Sequence, residues 1–216
     1  MAAIGSRAAH RTVIVLVGLD IPELRTQRLR IRRLTMADLE SCHILYLETG
    51  WADPERSEAD NRERRRAWLE WTVRSYDELL ALTQPPYGER AITFQHTGEF
   101  VGLVGLVPLL APFGQLPSFG AIADSKFEPA VGMFWSIRPA HQRSGCASEA
   151  AAALATWALA NLNLARLVAG TDRDNAASIG VMRRLGMRIE TNPYPKPRWF
   201  QVVGILEGRR TTPAAR

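Results

Sequence analysis

Gln142-Arg143-Ser144-Gly145-Cys146-Ala147 is the stretch whose reading decides the fold. It follows Val131 to Ile137 (VGMFWSI), apolar on both faces as a central strand is, and it opens an alanine-rich segment, Ser144 to Leu162, that reads as a helix. The first turn of a helix carries amide N–H groups without intrahelical partners and the positive end of the dipole, which suits a phosphate. Gly145 removes a Cβ where phosphate oxygens approach the backbone, small Cys146 and Ala147 keep that approach open, and Arg143 offers a charge-assisted contact. On these residues alone, an ordinary strand-to-helix connection with Gly145 near the N-cap explains the stretch equally well.

Working outward, Leu29 to Leu34 alternates apolar and basic residues, the period of a half-buried strand. Thr35 with Asp38 makes an acidic capping box for a helix to about Glu48, and Ser57 to Leu82 reads as a second helix. Arg90 to Gln95 and Glu99 to Leu106 read as hairpin strands around Thr97-Gly98, and Pro108 to Pro129 as an extended insertion whose Phe113 to Phe119 is a candidate lid. Leu167 to Ala169 is a short buried strand, Asn175 to Leu185 a helix closed by Gly186, and Met187 to Thr191 and Trp199 to Leu206 are the last strands. This order predicts a mixed α/β domain, a sheet with helices on its faces. The expected division is an extension over 1–22, one domain over 23–208 and a tail over 209–216.

Composition narrows the function classes. The net charge of +5 comes almost wholly from arginine, and a solvated basic surface accounts for it better than a polyanion site. Arg62, Arg64, Arg65 and Arg66 beside Trp68 and Trp71 resemble a nucleic-acid patch, but Glu63 and Glu70 dilute the charge and the tryptophans, at helical spacing, read as core. Cys42 and Cys146 are too few for a disulfide framework or a zinc site, and His43, His96 and His141 lack metal spacing, so we expect no metal and a reducing, cytoplasmic setting. Thr12 to Leu19 is too short to span a bilayer and reads as a loose or strand-like extension.

The spacing Gln142-x-x-Gly145-x-Ala147 resembles the Q/R-x-x-G-x-G/A signature of the GNAT acetyltransferase superfamily. Asn175-x-x-Ser178 followed by Val181-Met182-Arg183-Arg184-Leu185-Gly186-Met187, and the opening Thr26 to Arg32, resemble the branch that includes ribosomal-protein alanine N-acetyltransferases. The resemblance covers residues 24 to 207. It implies a mostly antiparallel twisted sheet, splayed at the strand that holds the cofactor and flanked by about four helices, with acetyl-CoA as cosubstrate, a primary amine as acceptor, and possible homodimers.

Carried onto this chain, the resemblance assigns the pantetheine arm to the backbone of Trp135, Ser136 and Ile137. It assigns the pyrophosphate to Gln142, Arg143, Ser144, Gly145, Cys146 and Ala147. Asn175 would meet the pantetheine or the departing sulfur, or be a plain N-cap; Ser178 would meet the cofactor or face solvent. A strand amide near Ile137 is the implied oxyanion donor. Many relatives carry a tyrosine seven residues after the asparagine as general acid, where this chain has Met182. Many place a glutamate where it has Ala130, leaving Glu128 as candidate base; Glu149 reads as a first-turn carboxylate that suits the helix dipole. Trp68, Tyr194 and Trp199 are the acceptor-site candidates. These two departures motivate an alternative, a non-catalytic acyl-CoA-binding or sensing protein.

Overall fold

Alternation and caps build the first half of the molecule. The computed structural model describes residues 20–208; the Thr12–Leu19 run and the expected tail lie outside them. Leu24–Arg25 (β1) pairs antiparallel with Leu29–Arg33 (β2), whose Leu29 and Ile31 are fully buried while its arginines are half-buried and paired with carboxylates. The Asp38 carboxylate accepts from Thr35 N–H at 2.8 Å and from both Arg32 Nη atoms at 2.8 and 2.7 Å, closing a 3-10 turn that leads into Leu39–Glu48 (α1). Ser57 Oγ accepts from Asp60 N–H at 3.1 Å and starts Glu58–Ala81 (α2). Leu69, Thr72 and Tyr76, three and four residues apart, form the inward face of α2. Trp68 is half-buried, but Trp71 is 63% exposed and is not core.

Gly88–Phe94 (β3), Phe100–Ala111 (β4) and Glu128–Ile137 (β5) continue the antiparallel sheet. The insertion is shorter than expected, because Pro108 to Ala111 prolong β4 along β5. Pairing with β3 ends at Leu106, so beyond it that flank of β4 is an edge, where a proline is tolerated. Then come Cys146–Asn161 (α3), Arg166–Thr171 (β6), Ala176–Arg184 (α4), Arg188–Thr191 (β7) and Val202–Glu207 (β8). The last strand starts later than expected: Arg198–Phe200 is a 3-10 turn that buries Phe200 completely.

The eight strands lie in the order β1-β2-β3-β4-β5-β6-β8-β7, the mostly antiparallel sheet the resemblance implies. Only β5 and β6 run parallel, and they share a single register pair, Gly132 with Val168. Beyond it the two strands diverge, so the sheet is notched at the C-terminal ends of β5 and β6.

One face of the sheet is covered by α3 and α4, with Ile92, Val104, Leu154 and Val181 in the core between them. The other face has two covers. α1 and α2 lie over β2 to β5, burying Leu45, Leu69, Ala91 and Leu103. The segment after β4 lies over β6 and β8, where Phe113 meets Phe200 at 5.6 Å between ring centroids and Phe119 at 5.9 Å. Burial on this scale contributes about 1.5–3 kcal/mol per large apolar side chain. The candidate lid is therefore a floor for the second half of the sheet. No helix among the described residues is long and apolar enough to cross a membrane.

Candidate functional site

The notch between β5 and β6 opens into a cleft of about 620 Å³. One wall is Trp135, Ser136 and Ile137, the other the start of α4, and the connection from His141 to Ser148 closes the end between them. The stretch singled out in the sequence, the strand before it and the helix after Asn175 thus share one cavity.

Arg143 and Gly145 both take positive φ, +59° and +84°, and Gly145 is the N-cap of α3. The first amide of this connection to find a helical partner is Glu149, which donates to Gly145 O at 3.0 Å. Among the described residues, the six amides from Arg143 to Ser148 have no backbone acceptor. Gln142 Nε2 donates to Ile137 O at 2.9 Å and ties the turn to the end of β5. The cleft lining includes Arg143 and Arg184 but no Asp or Glu, so its field is suited to an anion.

Glu149 fixes the turn from behind. Its carboxylate accepts from Arg28 N–H at 3.0 Å, from Arg28 Nε at 2.8 Å and from the Thr26 hydroxyl, joining α3 to the β1–β2 connection. Burial acts to raise its pKa, but the hydrogen bonds from Thr26 and Arg28 outweigh it and hold the group below the ordinary glutamate value. Because the folded pKa is depressed, this stabilisation is complete above the unfolded value and is lost as pH falls through the folded one. We expect Glu149→Gln to cost about 1–2 kcal/mol at neutral pH and progressively less as pH falls through the depressed folded pKa, measured by urea unfolding across an acidic pH series.

The remaining polar candidates already have protein partners. Asn175 Oδ1 accepts from Ser178 N–H at 3.0 Å as the N-cap of α4, and Ser178 Oγ accepts from Trp135 Nε1 at 3.3 Å, linking the two walls. Met182 is fully buried and packs toward Gly204, so this position serves the core and not the cleft. Glu128 is exposed at the far end of β5, outside the lining, and Ala130 packs beside Phe113.

Trp68, Tyr194 and Trp199 also lie outside the cleft. Trp68 stacks near Tyr46 at 5.9 Å, the Tyr194 hydroxyl donates to Ala121 O, and Trp199 rests its main chain against Gly170. Register puts Phe134 and Gly170 on the same face, either side of the notch. Trp51, 63% exposed, touches Phe134 edge-on at 6.2 Å, and Trp199, 40% exposed, covers Gly170. Two exposed indoles therefore flank the notch on the α1–α2 side.

Sequence reading missed Arg184 and Ser148, both in the lining. Arg184 reads as a last-turn cation; the spacing to Gly180 was the available signal, since its guanidinium lies 3.5 Å from where a Cβ would sit there. Ser148 Oγ is buried without a hydrogen-bond partner, which no sequence pattern reveals. Among the described residues no group of His, Cys, Asp and Glu clusters as metal ligands do. Of the basic run on α2, Arg62 pairs with Glu40 and Arg66 with Glu63 and Glu70, as on a solvated face.

A family model for the acetyltransferase (GNAT) domain matches residues 28–188. The uncharacterized N-acetyltransferase YoaA of Bacillus subtilis is 26% identical over 170 residues, covering 78% of this chain and 84% of that protein. The uncharacterized N-acetyltransferase YnaD of the same organism is 39% identical over 56 residues, so the chain spans only 33% of it and 26% of itself in that match. The crystal structure of a ribosomal-protein-S5-alanine acetyltransferase from Vibrio fischeri superposes with a TM-score of 0.61 at 16% identity, over 88% of this chain and 99% of that one.

Proposed function

Since this chain belongs to the GNAT acetyltransferase family and is an acyltransferase, we propose that residues 23–208 transfer an acetyl group directly from acetyl-CoA to a primary amine, of a small molecule or a protein N-terminus. The observation that carries the donor half is the run of unpartnered amides from Arg143 to Ser148, in a cleft without carboxylates beside the unpaired flank of β5. Those amides, with Arg143, would hold the pyrophosphate. The free flank of Trp135 to Ile137 would bond the pantetheine arm, and a strand amide there would steady the oxyanion. Acetyl-CoA supplies the activated acyl carbon. Ser178 and Asn175 stand at the mouth of α4, where Ser178 or a water would protonate the departing thiolate in place of Met182.

The acceptor would approach from the opposite side of the notch, between Trp51 and Trp199, with Trp68 and Tyr194 further out. An amine must lose a proton before it attacks, and no carboxylate lines the cleft itself. That absence, with Met182 turned into the core, favours the second reading, an acyl-CoA-binding or sensing protein. Thiol release with acetyl-CoA over a panel of primary amines and N-terminal peptides separates the two. Turnover on any acceptor supports the transferase, and tight CoA binding without turnover supports the sensor.

Asn175 can be tested apart from its cap. Asn175→Ser retains a good N-cap and should leave the melting temperature within about 1 °C of wild type, whereas Asn175→Ala loses about 1 kcal/mol. Both should lower turnover roughly tenfold or more if the amide meets the cofactor, an effect of about 1.4 kcal/mol. Equal rates for Asn175→Ser and wild type would leave Asn175 as a cap only.

A further inference from the structure

Two guanidinium groups line the cleft, one on each side of it. Arg143 belongs to the turn before α3, and Arg184 is the last residue of α4. Among the described residues, neither side chain makes a hydrogen bond or an ion pair. Their neighbours differ: Arg173 donates to Asn192 O at 2.7 Å, and Arg188 pairs with Glu190 and Glu207.

A cation in the last turn of a helix commonly serves the free carbonyls there. Arg184 is directed elsewhere. Its Nη1 lies 3.5 Å from where a Cβ on Gly180 would stand, one turn upstream. The side chain therefore folds back along α4, over a position without a side chain, on the stripe of Ala177, Gly180, Val181 and Arg184 that borders the cleft. Glycine disfavours a helix interior, and here it leaves the room that the guanidinium uses.

The turn opposite is already supplied with donors for one phosphate group. It offers the unpartnered amides from Arg143 to Ser148, the Arg143 guanidinium and the buried Ser148 hydroxyl, which has no hydrogen-bond partner. Coenzyme A carries a second, separate phosphate on its ribose. That 3′-phosphate is a monoester, close to doubly charged at neutral pH, and it ends in three free oxygens. A planar guanidinium matches such a group with two parallel N–H···O bonds.

We propose that Arg184 binds the ribose 3′-phosphate of the donor and makes this chain selective for CoA thioesters over those lacking that phosphate. The inference rests on the donor half of the reading above and leaves the acceptor open. Arg184 acts on binding and not on the chemistry. The 3′-phosphate stands at the far end of the donor from the thioester, so its contact is alike in the ground and transition states and shows in KM.

Calorimetry with CoA and with 3′-dephospho-CoA tests this on wild type, Arg184→Gln, Arg184→Lys and Arg183→Gln. Wild type should bind CoA roughly tenfold or more tighter than 3′-dephospho-CoA, the size of one charge-assisted phosphate pair. Arg184→Gln should weaken CoA about tenfold and leave 3′-dephospho-CoA within about twofold, which removes the preference. Arg184→Lys should keep part of it, because an ammonium retains the charge without the fork. Arg183→Gln deletes the same charge from the exposed residue next door and should keep the full preference. In thiol release, acetyl-3′-dephospho-CoA should raise the wild-type KM with kcat within about twofold, and Arg184→Gln should erase that difference.

A wild type that binds both ligands within about twofold would overturn the assignment. So would equal losses for both ligands in Arg184→Gln, which would put Arg184 on the pyrophosphate. A matching loss of preference in Arg183→Gln would overturn it too, by reducing the effect to net charge. All three outcomes leave the donor reading standing. Failure of wild type to bind either ligand would overturn that reading itself, and the role of Arg184 with it.

Discussion

Gly145→Asp should weaken CoA binding at least 100-fold, by calorimetry, while the protein still folds. Gly145 holds φ +84°, a left-handed conformation that costs an L-residue roughly 1–2 kcal/mol. An aspartate relieves that strain by rotating the turn and re-aiming the amides beside it. Its carboxylate also adds a negative charge next to the turn proposed to hold the pyrophosphate, and unit charges about 6–8 Å apart repel by about 2–3 kcal/mol at an effective dielectric near 20. Together these exceed the ~2.7 kcal/mol that a 100-fold change requires. The fold should survive, because a Cβ at Gly145 would meet only Arg28 Nη2 at 3.5 Å, an ordinary contact. An exposed pairing of the new carboxylate with Arg28 would return no more than about 1 kcal/mol.

Gly102→Ala should damage both stability and binding, through the wall of the cleft. Gly102 pairs with Ile137, and a Cβ on it would fall 2.1 Å from Ser136 O and 2.9 Å from Ile137 Cα. Neither atom belongs to a movable side chain, so β4 and β5 must part where Ser136 and Ile137 border the cavity. Overpacking of this kind costs about 3 kcal/mol, which lowers the melting temperature of a chain this size by about 6–12 °C. CoA affinity should fall with it, because the displaced backbone is the one proposed to bond the pantetheine arm. Scanning calorimetry with and without CoA checks both effects. A melting temperature within about 2 °C of wild type would mean that the strands part freely there.

Much of the architecture is written in local chemistry. Ser57 and Asn175 cap their helices, Asp38 closes the turn after Thr35, and alternation marks β2, because each depends on neighbours a few residues away. Gly145 was legible for the same reason, as a turn residue between a strand and a helix. Features set by distant partners were not. β1 is two residues long and exists only through β2. Pro108 reads as a break, yet β4 continues through it because β3 has already ended.

Phe113 to Phe119 reads as a candidate lid; packing of Phe113 against the buried Phe200 makes the segment a floor. The position of Met182 in the pattern marks a missing tyrosine, but its direction, into the core against Gly204, is a tertiary fact.

The central claim is that the amides from Arg143 to Ser148 bind the phosphates of CoA. Amide-resolved NMR during titration with CoA tests it most directly, because phosphate hydrogen bonds move amide protons downfield. The amides of Arg143 to Ser148 should shift downfield and saturate together, with smaller changes at Trp135 to Ile137 and Asn175 to Ser178. Saturable CoA binding that leaves the Arg143–Ser148 amides unmoved would contradict the claim.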